Sequence, residues 1–306
     1  MSEQTFPYGG QAVIEGVLMR GQRQATVAVR EPTGGIALQH FVLANKQRHI
    51  WAKLPILRGM LLIWDMLKLG MQALNFSASV AFGEDAEASK GETKGAMALS
   101  IGLGISFFLL LPSFLANLTV YLGASVLLRE VLESLLRLGF LIGYIVAISQ
   151  LPEVQRLFAY HGAEHKAVNA YEAGANLTVE GIRDFSLFHP RCGTSFLGIV
   201  IVIGFGVFLL LGELPLWAKL LSRVLLFPLI AALAYEWLRL VTTQYHRPWV
   251  RLFLAPSIAL QQLTTRQPDD EMLAVALAAL RPVLLADGVE TQVFCPREEW
   301  GLRTGA

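Results

Sequence analysis

The sequence predicts an α-helical integral membrane protein with about four transmembrane helices, an interfacial amphipathic helix and a small cytoplasmic β-rich region. Of its 306 residues, 54% are hydrophobic and only 16% are charged, and the mean hydropathy is +0.50. Soluble domains are typically about a quarter charged, so this apolar excess indicates contact with a lipid bilayer. The apolar residues cluster in long uncharged runs, whereas residues 10–45 alternate and turn in the manner of short β-strands.

Two uncharged runs predict membrane-spanning helices directly. Residues 95–128 and residues 193–212 contain no Asp, Glu, Lys or Arg, and a crossing needs about 20 apolar residues. Pro112 lies inside the first run and permits a kink. We therefore expect one helix over residues 97–118 and another over residues 193–212.

Two further spans are expected, one after each of these runs. The second helix is predicted over residues 132–151, so helices 1 and 2 lie within residues 95–151. The fourth is predicted over residues 220–242, within the segment 193–245 that also holds helix 3. This last helix carries Arg223, Glu236 and Arg239, so one of its faces should contact protein or water instead of lipid.

The distribution of basic residues predicts the orientation. Lys and Arg accumulate in cytoplasmic loops of membrane proteins, and here they are frequent before the first span, in the loop 152–192 and in the C-terminal region 246–306. Both termini and the central loop are therefore expected to be cytoplasmic. The net charge is only +1, which gives no electrostatic basis for a nucleic-acid partner.

Residues 51–82 are apolar but carry Arg58, Asp65 and Lys68. We interpret this segment as an amphipathic helix in the membrane interface, where its basic residues would contact acidic lipid headgroups. A fifth crossing here would place the N-terminal region outside, against the charge distribution.

Two regions outside the spans have their own structural signals. Residues 1–50 contain four strand-like segments and predict a small antiparallel sheet. In the C-terminal region, two aspartates precede an amphipathic stretch and predict a helix over residues 271–285. A last strand over residues 292–295 is expected to complete the N-terminal sheet.

The central loop contains the pattern H-x-x-E-H, formed by His161, Glu164 and His165. Residues four apart share one face of a helix, so both histidines can reach one metal ion with the glutamate beside them. This is the inverted zincin arrangement, in which a third ligand comes from elsewhere and the glutamate is the general base. The pattern predicts a divalent metal site, with zinc as the expected ion.

The third ligand must come from a distant part of the chain. His189 and Cys192 are the nearest candidates, and Glu172 and Glu236 compete with them. Each also has a structural interpretation: His189 as a structural histidine, Cys192 as a small buried apolar residue and Glu236 as the ion-pair partner of Arg239. The sequence alone leaves these alternatives open.

Several stretches of the sequence resemble the YqhQ family, a bacterial inner-membrane family described as predicted metal-dependent enzymes. They read GGQAVIEGVLMRG, YHGAEHK, HPRCGTS, YEWLR and LTTRQPDD, at residues 9–21, 160–166, 189–195, 235–239 and 263–270. The resemblance covers nearly the whole chain. It implies a multi-pass location in the bacterial inner membrane and a metal-dependent activity, and it brings no substrate.

The first of these stretches has two interpretations. Its glycines suit the turns of a β-hairpin. Alternatively, Glu15 and Arg20 cover the metal loop, with Arg20 binding a carboxylate or phosphate of a substrate. The stretch lacks the lysine of a nucleotide-binding loop.

Two functions from different classes follow from these observations. One is a membrane-embedded metal-dependent hydrolase with its site at the cytoplasmic membrane surface, Glu164 as base and His161 and His165 as ligands. The other is a non-enzymatic membrane transporter or assembly scaffold with a structural metal site. A site closed by four protein ligands would indicate the second, and an open coordination position the first.

Overall fold

A computed structural model describes residues 8–43, 54–83, 90–289 and 302–304. The fold is mostly helical, with one small sheet. The strands of the sheet are β1 (Gly9–Val13), β2 (Gly16–Arg20), β3 (Gln24–Arg30), β4 (Ile36–Val42) and β5 (Leu302–Thr304). The helices that come before the H-x-x-E-H motif are α1 (Pro55–Phe82), α2 (Lys90–Ile105), α3 (Leu111–Asn117) and α4 (Val126–Ile148). The remaining helices are α5 (Pro152–Glu172), α6 (Val179–Ile182), α7 (Gly193–Leu211), α8 (Leu216–Leu225), α9 (Phe227–Thr242), α10 (Pro248–Ala259), α11 (Gln261–Thr264) and α12 (Asp270–Ala286).

The antiparallel N-terminal sheet is confirmed. Strands β1 to β4 pair in chain order, and β5 pairs in parallel with β4, placing Ile36 opposite Leu302. Ile14 and Glu15 form the two-residue turn between β1 and β2, and Glu15 has φ 51°. The expected strand over residues 292–295 lies outside the described residues, and residues 302–304 occupy the sheet edge instead.

Helix α12 joins this sheet to helix α5. It begins at its predicted position because Asp269 caps it, accepting a hydrogen bond from the Met272 N–H at 2.8 Å. Most of its apolar residues, including the fully buried Leu273 and Leu280, pack against β2, β3 and α5. One hydrophobic core therefore contains elements from both ends of the chain.

Three helical segments are long and apolar enough to cross a membrane: Gly95–Leu122, Val126–Ile148 and Gly193–Leu211. The pair α8 and α9, bent by 48° at its break, makes a fourth if it is one span. These segments match the four predicted spans in position. Within the first, residues 106–110 form a π-helical turn directly before Pro112, which accommodates the missing N–H of the proline.

The second candidate span begins earlier than its predicted start at residue 132. The Ser125 side chain caps α4 by accepting a hydrogen bond from the Leu128 N–H at 3.3 Å. Arg129 and Glu130, which precede the predicted span, and Glu133, near its predicted start, are all buried inside the helix. Their charges are paired within the protein, so the helix continues through them.

Helix α1 occupies most of the segment predicted to be interfacial, and residues 51–53 lie outside the described residues. It packs closely on α9, where a Cβ added to Gly59 would lie 3.2 Å from the Ala232 backbone. Its later residues Leu69 and Ala73 join the core under the sheet. On the other face Trp64 is 68% exposed. The helix thus connects the sheet to the apolar bundle and presents an apolar outer face.

Candidate metal centre

Helix α5 places the H-x-x-E-H motif on a buried face. It begins at Pro152, which suits the first helical turn. Because His161 and His165 are four residues apart, their rings are neighbours on one helix face, in an edge-on arrangement with centroids 4.4 Å apart. Glu164 and His165 are buried, and His161 is half-buried.

Cys192 completes a three-residue cluster with the two histidines. One potential ligand atom from each of His161, His165 and Cys192 lies within 4.8 Å of the others. The Cys192 Sγ is 3.2 Å from the Nε2 of His161. Cys192 is the N-cap of α7, and its Sγ accepts a hydrogen bond from the Thr194 N–H at 3.4 Å. A cysteine binds a metal ion through this sulfur, as a thiolate.

The other ring nitrogen of each histidine is held by a backbone carbonyl. The Nδ1 of His161 lies 2.8 Å from the Thr264 oxygen, and the Nδ1 of His165 lies 2.5 Å from the Leu187 oxygen. A carbonyl can only accept a hydrogen bond, so each Nδ1 is the donor and Nε2 is the ring nitrogen left to face a metal ion. Metal-binding histidines characteristically have such a partner. The sequence did not predict that these two carbonyl groups would contact the histidines.

Glu164 is anchored at one oxygen. Its Oε1 accepts a hydrogen bond from the Gly10 N–H at 2.8 Å, and its Oε2 lies 3.6 Å from the Nε2 of His165. Gly10 must be glycine here, since an added Cβ would lie 1.9 Å from the Leu18 oxygen. Strand β1 therefore fixes the carboxylate beside the histidines, a role that sequence reasoning did not assign to it.

His189 lies next to the cluster but outside it. Its ring centroid is 5.9 Å from that of His165, and its Nε2 is 3.4 Å from Glu172 Oε2. Glu172 also pairs with Arg191. Burial opposes the ionisation of Glu172, but the hydrogen bond from His189 and the charge of Arg191 together lower its pKa. His189 and Glu172 therefore contact each other, and His189 also lines the pocket that contains the His and Cys cluster.

That pocket has a volume of about 60 Å³. His161, Glu164, His165, His189 and Cys192 all contribute to its wall. The volume is enough for one or two water molecules. The fold therefore brings together the H-x-x-E-H motif, Cys192 and the glycines at the start of strand β1.

Glu15 and Arg20 do not line this pocket. Glu15 accepts hydrogen bonds from Arg156, with the Nε at 2.6 Å, and from Tyr160 at 3.3 Å. The Arg156 contact lowers the pKa of Glu15 despite partial burial. Burial lowers the pKa of Arg20, while the charge of Asp65 on α1 raises it. These two residues belong to contacts of the sheet with neighbouring helices.

Glu236 has a partner that the sequence did not reveal. Arg58 of α1 donates two hydrogen bonds to its carboxylate, at 3.0 and 2.5 Å. The expected partner Arg239 is more distant, at 3.9 Å. The structure therefore places Glu236 in a contact between α1 and α9, and it does not line the pocket.

Comparison with known proteins identifies the family. A family profile described as "Protein of unknown function (DUF1385)" matches residues 54–286. The chain belongs to this family. It is 36% identical over 312 residues to "Uncharacterized protein YqhQ" of Bacillus subtilis (strain 168), covering 95% of this chain and 97% of that protein. The resemblance seen in the sequence is confirmed, and no solved structure matches the chain.

Proposed function

We propose that this DUF1385 protein is a membrane-embedded metal-dependent hydrolase with its site at the cytoplasmic surface of the bacterial inner membrane. The observation that carries the proposal is the convergence of His161, His165 and Cys192 beside an anchored Glu164. These residues come from two elements separated in the sequence, and they combine the groups that hydrolytic metal sites require.

The donor set fits zinc. Two imidazole nitrogens and one thiolate are ligands that zinc accepts, and three protein ligands with an open position are typical of catalytic zinc sites. Among the described residues, no fourth His, Cys, Asp or Glu joins this group. A bound zinc ion would polarise a substrate carbonyl or phosphoryl oxygen.

The role of Glu164 follows from its contacts. Its Oε1 is occupied by the Gly10 N–H, which leaves Oε2 on the side of His165. The free oxygen can take a proton from an attacking water molecule, while the strand keeps the carboxylate from rotating away. Tyr8, Gly9 and Gly10 form the wall of the pocket on this side.

The membrane location rests on the position of Cys192. This residue directly precedes the candidate span α7. A metal ion held by it would lie where the span leaves the bilayer. The basic residues around this end and in both terminal regions support a cytoplasmic orientation.

One observation favours the alternative function of a transporter. The candidate span formed by α8 and α9 is bent by 48°, and α8 carries the buried Lys219 and Arg223. Broken helices with buried charges are common at transport sites. In that case the His and Cys cluster would be a structural metal site.

Elemental analysis of the full chain purified in detergent tests the metal site. We expect one zinc per chain in the wild type and in Glu164→Gln, and loss of zinc in His161→Ala, His165→Ala and Cys192→Ala. His246→Ala is the matched control, because His246 is exposed, and it should retain zinc. Absence of zinc from the wild type, or its full retention in all three ligand variants, would remove the proposal.

A cobalt-substituted sample separates an enzyme from a structural site. Acetohydroxamate binds an open coordination position and would change the visible spectrum of cobalt held by His161, His165 and Cys192. An unchanged spectrum at saturating acetohydroxamate would indicate a closed site and favour the transporter or scaffold.

A further inference from the structure

A second polar site lies among the candidate spans, away from the metal centre. We call it the ion-pair cluster, and its members are the buried charged residues of α4 and α8 that pair with one another, each at most 7% exposed: Glu130, Glu133, Arg137, Lys219 and Arg223. Burying so many charges is costly unless each is matched.

The two carboxylates are fully used. Arg223 donates to Glu130 at 2.8 Å and to Glu133 at 2.8 Å. The Lys219 Nζ lies 3.2 Å from both carboxylates, and Arg137 donates to Glu133 at 2.5 Å. Within the part of the chain that the structure describes, three cations of this cluster thus share two anions, which leaves one positive charge in excess.

Unpartnered groups occur on α4 and on the neighbouring helix α3. Among the described residues, the buried Nε of Arg137, the buried Nε of Arg129 and the buried hydroxyl of Ser113 have no hydrogen-bond partner. Arg129 uses another nitrogen for Glu213, whose side chain is 74% exposed. Ser113 is on α3, which packs against both α4 and α8. Since an unpaired buried donor is costly, these helices lack an acceptor.

A phosphate-type anion supplies what is missing. Its oxygens are hydrogen-bond acceptors that suit guanidinium donors. A phosphodiester carries one negative charge, which equals the excess positive charge of the ion-pair cluster. The lipid source is close, because α4 begins near exposed Tyr121 and α8 near exposed Trp217, and such aromatic residues mark the membrane interface. We propose that α3, α4 and α8 form a binding site for a phosphate oxyanion, supplied by the headgroup of an anionic phospholipid.

Thermal unfolding of the delipidated full chain tests this site. Phosphatidylglycerol should raise the Tm in a saturable manner, and diacylglycerol with the same acyl chains should not. A rise with inorganic phosphate at constant ionic strength would support the site and assign its source to the free ion. A Tm that responds to neither phosphate compound would overturn the proposal.

Variants distinguish anion binding from a purely structural ion network. Arg137→Met removes the excess charge, so we expect it to abolish the response to phosphatidylglycerol without lowering the Tm of the delipidated protein. Arg239→Met removes an arginine whose side chain is 52% exposed and should keep the response. A lower Tm of Arg137→Met together with an unchanged lipid response would refute the proposal. Lys219→Met makes the same charge change and replaces Arg137→Met if that variant does not fold.

Discussion

Substitution of Gly162 by alanine should weaken metal binding without changing any ligand. Gly162 lies in α5 between His161 and Glu164, and an added Cβ would be 2.2 Å from the Arg266 carbonyl oxygen and 2.9 Å from a Leu187 methyl carbon. The Thr264 and Leu187 carbonyls hold the two histidine rings. The methyl group would therefore push away both chain segments that orient the ligands.

The size of the effect follows from two opposing contributions. Alanine stabilises a helix relative to glycine by about 1 kcal/mol. Relieving the 2.2 Å contact needs a backbone shift of about 1 Å, and such overpacking typically costs about 1–3 kcal/mol. The unfolding free energy should therefore fall by no more than about 2 kcal/mol. Zinc affinity should fall about 10- to 100-fold, as is typical when partners of metal-binding histidines are displaced.

Competition for zinc with a coloured chelator measures this affinity. Gly143→Ala is the matched control, because Gly143 is also inside a helix and an added Cβ would meet nothing within 4 Å. We expect Gly143→Ala to bind zinc like the wild type. If Gly162→Ala also binds zinc with wild-type affinity, the backbone carbonyls do not position the histidines and the reasoning is wrong.

Thermal or pH-dependent unfolding measures three further effects. Glu236→Gln leaves Arg58 without its carboxylate partner and should lower the free energy of unfolding by about 1–2 kcal/mol, which is less than for a fully buried ion pair. The zinc content should not change, and an unaltered Tm would contradict this prediction. Asp269→Ala removes the cap of α12 and should cost about 1 kcal/mol, so full stability would show that the cap is dispensable. Arg156 holds the pKa of Glu15 below its ordinary range, so the stability that Glu15 contributes is present at neutral pH and lost as the pH falls through its folded value. The advantage of the wild type over Glu15→Gln should shrink below about pH 4; a difference independent of pH would refute it.

The sequence predicted those elements whose periodicity reports burial directly. The strands are rich in apolar residues because both faces of the sheet are covered, one by α12 and the other by α1. Helix α12 has both a visible cap and an apolar face. The uncharged runs became the apolar helices because length and apolar composition alone are enough to predict such helices. The start of α4 was placed too late because Arg129 and Glu130 interrupt the apolar sequence, whereas in the structure Arg223 of a distant helix neutralises Glu130.

The candidate site was predictable only in part. The motif spacing placed His161 and His165 on one helix face, and Cys192 was among the candidates for the third position. The contacts that orient these groups come from backbone atoms, such as the Gly10 N–H and the Thr264 carbonyl. Every residue has such atoms, so no residue type marks them. Only the fold determines which of them reach the site.

The shared core of the sheet and α12 sets an order of events during synthesis. Strands β1 to β4 precede all candidate spans, whereas α12, which covers β2 and β3, follows them. The ribosome must add about 240 residues between the end of β4 and the end of α12, which takes about 12 to 48 s at typical elongation rates. During this interval the apolar face of the strands lacks its permanent cover and is open to aggregation. The core that α12 shares with the sheet and α5 can therefore be completed only after all the candidate spans have been synthesised.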